Sequence, residues 1–170
     1  MAREQVKVGT TSVWTDKVKR LLIVERTFDA PRELVWKAWT EPEQLGRWWG
    51  PRGWVTTSYK LDLQPGGVWH YCIRGPEGAE SWGKGVYREI AEPARLVYVD
   101  VFSDADGNTV ESMPAMLITI DFGDLDGKKT KLRSTAELAT AEQLESIIAM
   151  GVVTGLTETW DRLEEFLAGA

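Results

Sequence analysis

The chain has 170 residues, 43% of them hydrophobic and 27% charged, the balance of one globular domain with a well-buried core and not of a disordered or fibrous chain. A net charge of −6 and a pI near 4.9, without any long Lys/Arg run, exclude the basic footprint of a nucleic-acid or anionic-lipid binder. The single cysteine, Cys72, rules out an intrachain disulfide and suits a reducing compartment.

Met1 to Asp16 alternates charges and hydroxyls, with no apolar run fit for a signal peptide or membrane span. An N-terminal extension over 1–17, a single domain over 18–170, a cytoplasmic location and no membrane insertion are therefore expected. Val18 to Phe28 is rich in β-branched and large apolar residues and reads as the first strand. Pro31 presets a helical first turn, and Leu34, Val35, Ala38 and Trp39 recur at helical spacing. Thr40, with Pro42 and Glu43 behind it, reads as the cap of a second short helix that stops at Trp48-Trp49-Gly50-Pro51.

Strands then follow closely over Trp54 to Leu63, Val68 to Arg74, Ser81 to Ile90, Leu96 to Phe102, Pro114 to Phe122 and Thr130 to Leu138. Turn signals such as Gln64-Pro65-Gly66-Gly67, Asp106-Gly107 and Asp126-Gly127 separate several of them. The connections are too short for parallel crossovers, so an antiparallel meander is expected. Thr140 with Gln143 forms a capping box, and Leu144, Ile148, Val152, Leu156, Thr159, Leu163 and Phe166 trace one apolar stripe to the end. The reading is a single long C-terminal helix, kinked or thinned at Gly151 and Gly155. The fold class is α+β, with six to seven strands, two short helices and the long helix closing over a cavity.

Phe28-Asp29-Ala30-Pro31-Arg32-Glu33-Leu34-Val35-Trp36-Lys37-Ala38-Trp39-Thr40, then Glu41-Pro42-Glu43 and Arg47-Trp48-Trp49-Gly50-Pro51, resembles the N-terminal signature of the family named after the activator of the heat-shock-protein-90 ATPase. Pro65-Gly66-Gly67, Gly85 with Glu89, Pro93 before Arg95-Leu96-Val97, and Gly155 with Leu163 extend the likeness from about Val18 to Leu167. That family is part of the START-like, or SRPBCC, superfamily. The resemblance implies a helix-grip fold holding a lipid, steroid or polyketide-like molecule between sheet and long helix. It leaves open a cyclase, isomerase or hydrolase, and a co-chaperone-like interaction domain with a protein client or a homodimer partner. Leu156 stands where relatives often carry Trp.

Nine tryptophans in one domain mark its core and any cavity, because each buries a large apolar surface while its indole N–H seeks a partner. In simple meander register Tyr59, Trp69, Tyr71, Tyr87, Tyr98 and Phe102 share one face, joined by Trp49 and by Ile148, Val152, Gly155, Leu156 and Thr159 from the helix. Asp100 and Glu89 alternate onto the same face, where a carboxylate must be paired, solvated or protonated. Arg26, Arg88 and Arg133 are the cations available to neutralise them. An enzyme built here would use Asp100 or Glu89 as general base and Tyr87 as proton donor.

Other chemistry fares poorly. His70 and Cys72 share the opposite, outer face. No zinc-ligand spacing occurs, and Asp104-Ala105-Asp106-Gly107-Asn108 has its glycine at the wrong place for a calcium loop. Gly83-Lys84-Gly85 lacks phosphate-loop spacing and reads as a bulge or strand bend. No metal, nucleotide or other cofactor is expected, and no nucleic acid.

Overall fold

The computed structural model describes residues 3–8 and 10–169. In chain order the elements are β1 (Arg3–Val8), β2 (Thr11–Asp16), β3 (Leu21–Phe28), α1 (Arg32–Thr40), α2 (Pro42–Trp48), β4 (Val55–Leu61), β5 (Val68–Arg74), β6 (Glu80–Ala91), β7 (Arg95–Phe102), β8 (Met116–Leu125), β9 (Lys129–Glu137), α3 (Ala141–Ala149) and α4 (Val152–Ala168). The strands form one nine-stranded antiparallel sheet in the order β1-β2-β3-β9-β8-β7-β6-β5-β4. The helices lie against one face of it. Among the described residues no helix is long and apolar enough to cross a membrane.

Two strands more than the expected maximum come from the segment read as an extension. β2 pairs with β3 through Val13 and Val24, burying Thr11, Val13 and Asp16, and β1 pairs with β2 in turn. Their hydroxyl and charged residues hide the strand period from a hydrophobicity reading.

Period-two alternation sets the inner face elsewhere. β9 buries Thr130, Leu132, Ser134 and Ala136, and neighbouring β8 buries Ile118, Ile120 and Phe122. Trp36, Trp39 and Trp48 from α1 and α2 fill the core above these strands, with Trp36 and Phe122 rings 5.2 Å apart, edge to face. Trp48 Nε1 donates to the Ala38 carbonyl at 2.9 Å, so its burial leaves no orphaned donor.

Thr40 does not cap α2. Its hydroxyl donates to the Trp36 carbonyl at 2.8 Å within the last turn of α1, and Glu41 takes the cap position with extended backbone at φ −99°. Pro42 imposes this, because its ring disfavours helical geometry for the residue before it. At Thr140 the expected cap is present: its Oγ1 accepts from the Gln143 backbone N–H at 3.0 Å.

The C-terminal helix is two helices. Gly151 adopts φ +90°, ψ 22°, which breaks the chain between α3 and α4. The break also changes the apolar phase: α3 buries Leu144 and Ile147 and leaves Ile148 37% exposed. α4 is anchored by Trp160 and Leu163, both fully buried, with Trp160 edge-on to Phe28 at 5.8 Å. Arg26 on β3 adds a 2.8 Å bond from Nη2 to Asp161 Oδ1.

Candidate functional site

Between α4 and the inner face of the sheet lies a cavity of about 240 Å³. Its floor is Leu22 and Val24 of β3, Ser134 and Ala136 of β9, Ile118 and Met116 of β8, and Tyr98 and Asp100 of β7. Val152, Gly155, Leu156 and Thr159 of α4 form the roof, and Trp39, Trp49, Gly50 and Pro51 close one side. A second cavity of about 180 Å³ adjoins it, lined by Tyr71, Ser81, Trp82, Gly83, Val101 and Phe102, and shares Ile73, Asp100 and Met116 with the first. Asp100 thus stands where the two meet.

The chain positions this carboxyl by strand pairing. Tyr71 on β5 lies opposite Gly83 on β6, whose other neighbour is β7, and the Tyr71 hydroxyl reaches across to donate to Asp100 Oδ1 at 3.2 Å. Gly83 makes the crossing possible, since a Cβ there would sit 2.6 Å from Tyr71 Oη. At Gly85 a Cβ would meet the Tyr98 ring at 3.2 Å. These glycines therefore clear a trough for two tyrosine rings. The strand irregularity expected of them lies further along, between Tyr87 and Glu89.

Asp100 is half-buried where the two cavities meet, and desolvation pushes its carboxyl up to about 7, against the lowering effect of the Tyr71 hydrogen bond. Burial together with Asp100 holds the Tyr71 and Tyr98 hydroxyls well above the ordinary phenol range. No Lys, Arg or His lines either cavity. The cations available on paper are engaged elsewhere: Arg26 with Asp161, Arg133 with Glu25 at 2.8 Å, while Arg88 is exposed on the outer face.

Of the residues expected at the site, Trp49, Tyr98, Asp100, Val152, Gly155, Leu156 and Thr159 line the main cavity, and Tyr71 and Phe102 line its neighbour. Trp69 is buried behind them, stacked on Tyr71 at 4.2 Å with Trp49 edge-on at 4.9 Å. Tyr87 packs against Tyr98 but lines neither cavity. Three residues point elsewhere. A bulge between Ser58 and Lys60 turns Tyr59 outward, where it is 51% exposed beside Trp82 and accepts from Arg74. A second bulge leaves Arg88 unpaired and sets Glu89 opposite outward-facing Val97, so Glu89 is exposed and takes no part in the cavity. Ile148, displaced by the break at Gly151, lines a separate groove with Val13 and Val153.

Sequence reasoning missed Trp39, Ile73, Met116 and Ser134, and assigned Tyr87 where Tyr71 is the hydroxyl on Asp100. The alternation Leu22-Val24 and Ser134-Ala136 on paired strands is the signal that points to the floor. On the outer face, His70 stacks on Trp82 at 5.2 Å and its Nε2 lies 3.1 Å from the Asp104 carbonyl, while burial pushes the Cys72 thiol up. Asp104 Oδ1 accepts from the Asp106 and Asn108 backbones, making the loop a side-chain-supported turn. Among the described residues no group of three or more His, Cys, Asp or Glu is placed to hold a metal.

The family profile described as "Activator of Hsp90 ATPase homolog 1-like protein" matches residues 29–168. The chain belongs to this family. The fold agrees: a Mycobacterium smegmatis protein is 27% identical with TM-score 0.84, over 96% of this chain and 97% of that one. A solution structure from Arthrobacter aurescens is 27% identical with TM-score 0.87, over 93% and 91%. One from Staphylococcus epidermidis is 33% identical with TM-score 0.80, over 91% and 93%. No curated protein matches the chain significantly. The helix-grip architecture of this Hsp90-activator-like family fits a ligand-binding domain and is compatible with small-molecule or protein interaction.

Proposed function

We propose that this member of the Hsp90-activator-like family is a binding module that holds a hydrophobic or amphipathic small molecule, lipid-, steroid- or polyketide-like in character, between the sheet and α4. The observation that carries this reading is the main cavity itself: mostly apolar walls from five strands and helices carry a few polar groups, the hydroxyls of Ser134 and Thr159 and one carboxyl, that of Asp100, the pattern of a site that orients a mostly apolar guest. Its volume, about 240 Å³, falls just under the usual range of roughly 300–1,000 Å³ for drug-sized ligands and favours a compact guest. Native mass spectrometry of protein purified without detergent tests the reading. A stoichiometric adduct that disappears in Gly155→Phe, which fills the roof, supports it; an adduct that survives in that variant places the guest elsewhere.

A second reading, an enzyme of cyclase, isomerase or hydrolase type, draws on the Asp100–Tyr71 pair, whose carboxyl at about 7 is suited to moving a proton near neutral pH. Asp100→Asn separates the two readings: turnover stops in an enzyme, whereas a binding module has no turnover to lose and keeps the part of its affinity that comes from the apolar walls.

A further inference from the structure

Asp100 is a carboxyl with an incomplete set of partners. Tyr71 gives it one hydrogen bond at 3.2 Å from a neutral hydroxyl, and neither cavity that it lines contributes a Lys, Arg or His. A desolvated carboxylate with a single neutral donor is strongly unfavourable, and the complement missing from the protein is a positive charge. The surrounding walls suit such a charge as well. Trp49 and Tyr98 line the main cavity and Tyr71 its neighbour, and the π-faces of such rings attract cations. An anionic guest would meet Asp100 with no cation to bind it, and a neutral guest would leave only the protonated form of Asp100 compensated, whereas a cationic guest pairs with its ionised form.

Resting on the binding-cavity reading, we propose that the occupant is an apolar amine, whose protonated nitrogen sits against Asp100 among Trp49, Tyr71 and Tyr98 while its hydrocarbon body lies under Leu156. An aliphatic amine, with a pKa near the ~10.4 of a lysine side chain, carries its charge throughout the pH range in which Asp100 ionises. The chain's net charge of −6 favours the approach of a cation. The titratable groups facing Asp100 are Tyr71 on β5 and Tyr98 on its own strand, and both hydroxyls stay neutral over that range. The lining residues of β8, α4 and the segment after α2 carry no titratable group.

The test uses a matched series, octylamine, 1-octanol and octanoate, followed by calorimetry or by tryptophan fluorescence at pH 8. A charge-assisted hydrogen bond predicts that octylamine binds roughly 10- to 100-fold more tightly than octanol, with octanoate weakest. In Asp100→Asn the amine falls to the level of the alcohol, while Glu89→Gln, on the outer face, keeps the preference. Wild-type protein brought from pH 8 to 5.5 loses the amine preference as Asp100 takes up its proton, with octanol binding unchanged, a result independent of any variant's folding. Equal affinity for octylamine and octanol in the wild type, or tighter octanoate, overturns the amine assignment and leaves the cavity reading standing. Failure of all three probes to bind overturns both.

Discussion

The Tyr71 hydroxyl meets Asp100 Oδ1 at 3.2 Å by crossing over Gly83, one strand away from each. Hydroxyl, glycine and carboxyl therefore act as one device, and the glycine is the part without chemistry of its own. Gly83→Ala places a methyl 2.6 Å from Tyr71 Oη and should cost about 1–3 kcal/mol by overpacking, read by chemical denaturation. Tyr71→Phe should fold with less loss. It removes the hydrogen bond that holds the Asp100 carboxyl down, so a carboxyl titration followed by infrared spectroscopy should move above 7. An unchanged titration would mean that the bond is not made in solution.

Asp100 makes folding more favourable in acid. Its carboxyl titrates at about 7 when folded and at about 4 when unfolded, so folding takes up a proton between these values. This contribution is complete below about pH 4 and is lost as pH rises through 7, with a slope of about 1.4 kcal/mol per pH unit between them. Denaturation of the wild type and Asp100→Asn across pH 5 to 9 should show the variant gaining relative stability up to about pH 7 and then running parallel. Parallel curves throughout would show that Asp100 is ordinarily solvated.

The two helix glycines should respond oppositely. Gly151 has φ +90°, and alanine in left-handed backbone costs about 1–2 kcal/mol. Gly155 is regular helix with open space around a built Cβ, so Gly155→Ala should stabilise by up to about 1 kcal/mol. Its methyl also reduces the cavity, so octylamine affinity should fall as thermal stability rises. Destabilisation by Gly155→Ala would show that the roof packs more tightly than described.

Arg162 fastens α4 to the cavity side. Its Nη1 donates toward the carbonyls of Gly50 at 2.9 Å, Trp54 at 3.1 Å and Pro51 at 3.2 Å. Arg162→Met keeps most of the packing but orphans these carbonyls, and should cost about 1–3 kcal/mol and weaken binding of the octyl probes. A change in stability with unaltered probe affinity would separate this clamp from the cavity.

Leu163→Ala should cost about 2–5 kcal/mol, as expected for a fully buried leucine. Phe166, at the end of the apolar stripe, is only partly buried and should cost less than its size suggests. Thermal unfolding of the two variants ranks them directly.

Much of this architecture is legible in residue order. The capping box at Thr140 and the alternation along β7, β8 and β9 place the helix start, three strands and Asp100 on the correct face. What resists reading is decided by pairing partners. Each bulge inverts a strand's faces partway along, sending Tyr59 and Glu89 outward while Leu61 and Tyr87 stay inward, and no local residue pattern marks the inversion. The split at Gly151 was visible as a glycine, but its left-handed backbone, which rephases α3 and turns Ile148 away, depends on how the two helices dock.

The fastening of α4 is uneven along its length. Trp160, Leu163, the Arg26–Asp161 bond, the Arg162 carbonyl contacts and the Arg52–Glu165 ion pair all hold its last three turns, whereas the turn from Val152 to Leu156 rests on the cavity through partly buried apolar side chains. Backbone amides near 152–156 should therefore exchange with solvent deuterium well before those near 160–167. A guest would then pass under the hinge at Gly151 while the far end of the helix stays seated, and a bound molecule would register first as slowed exchange in that one turn.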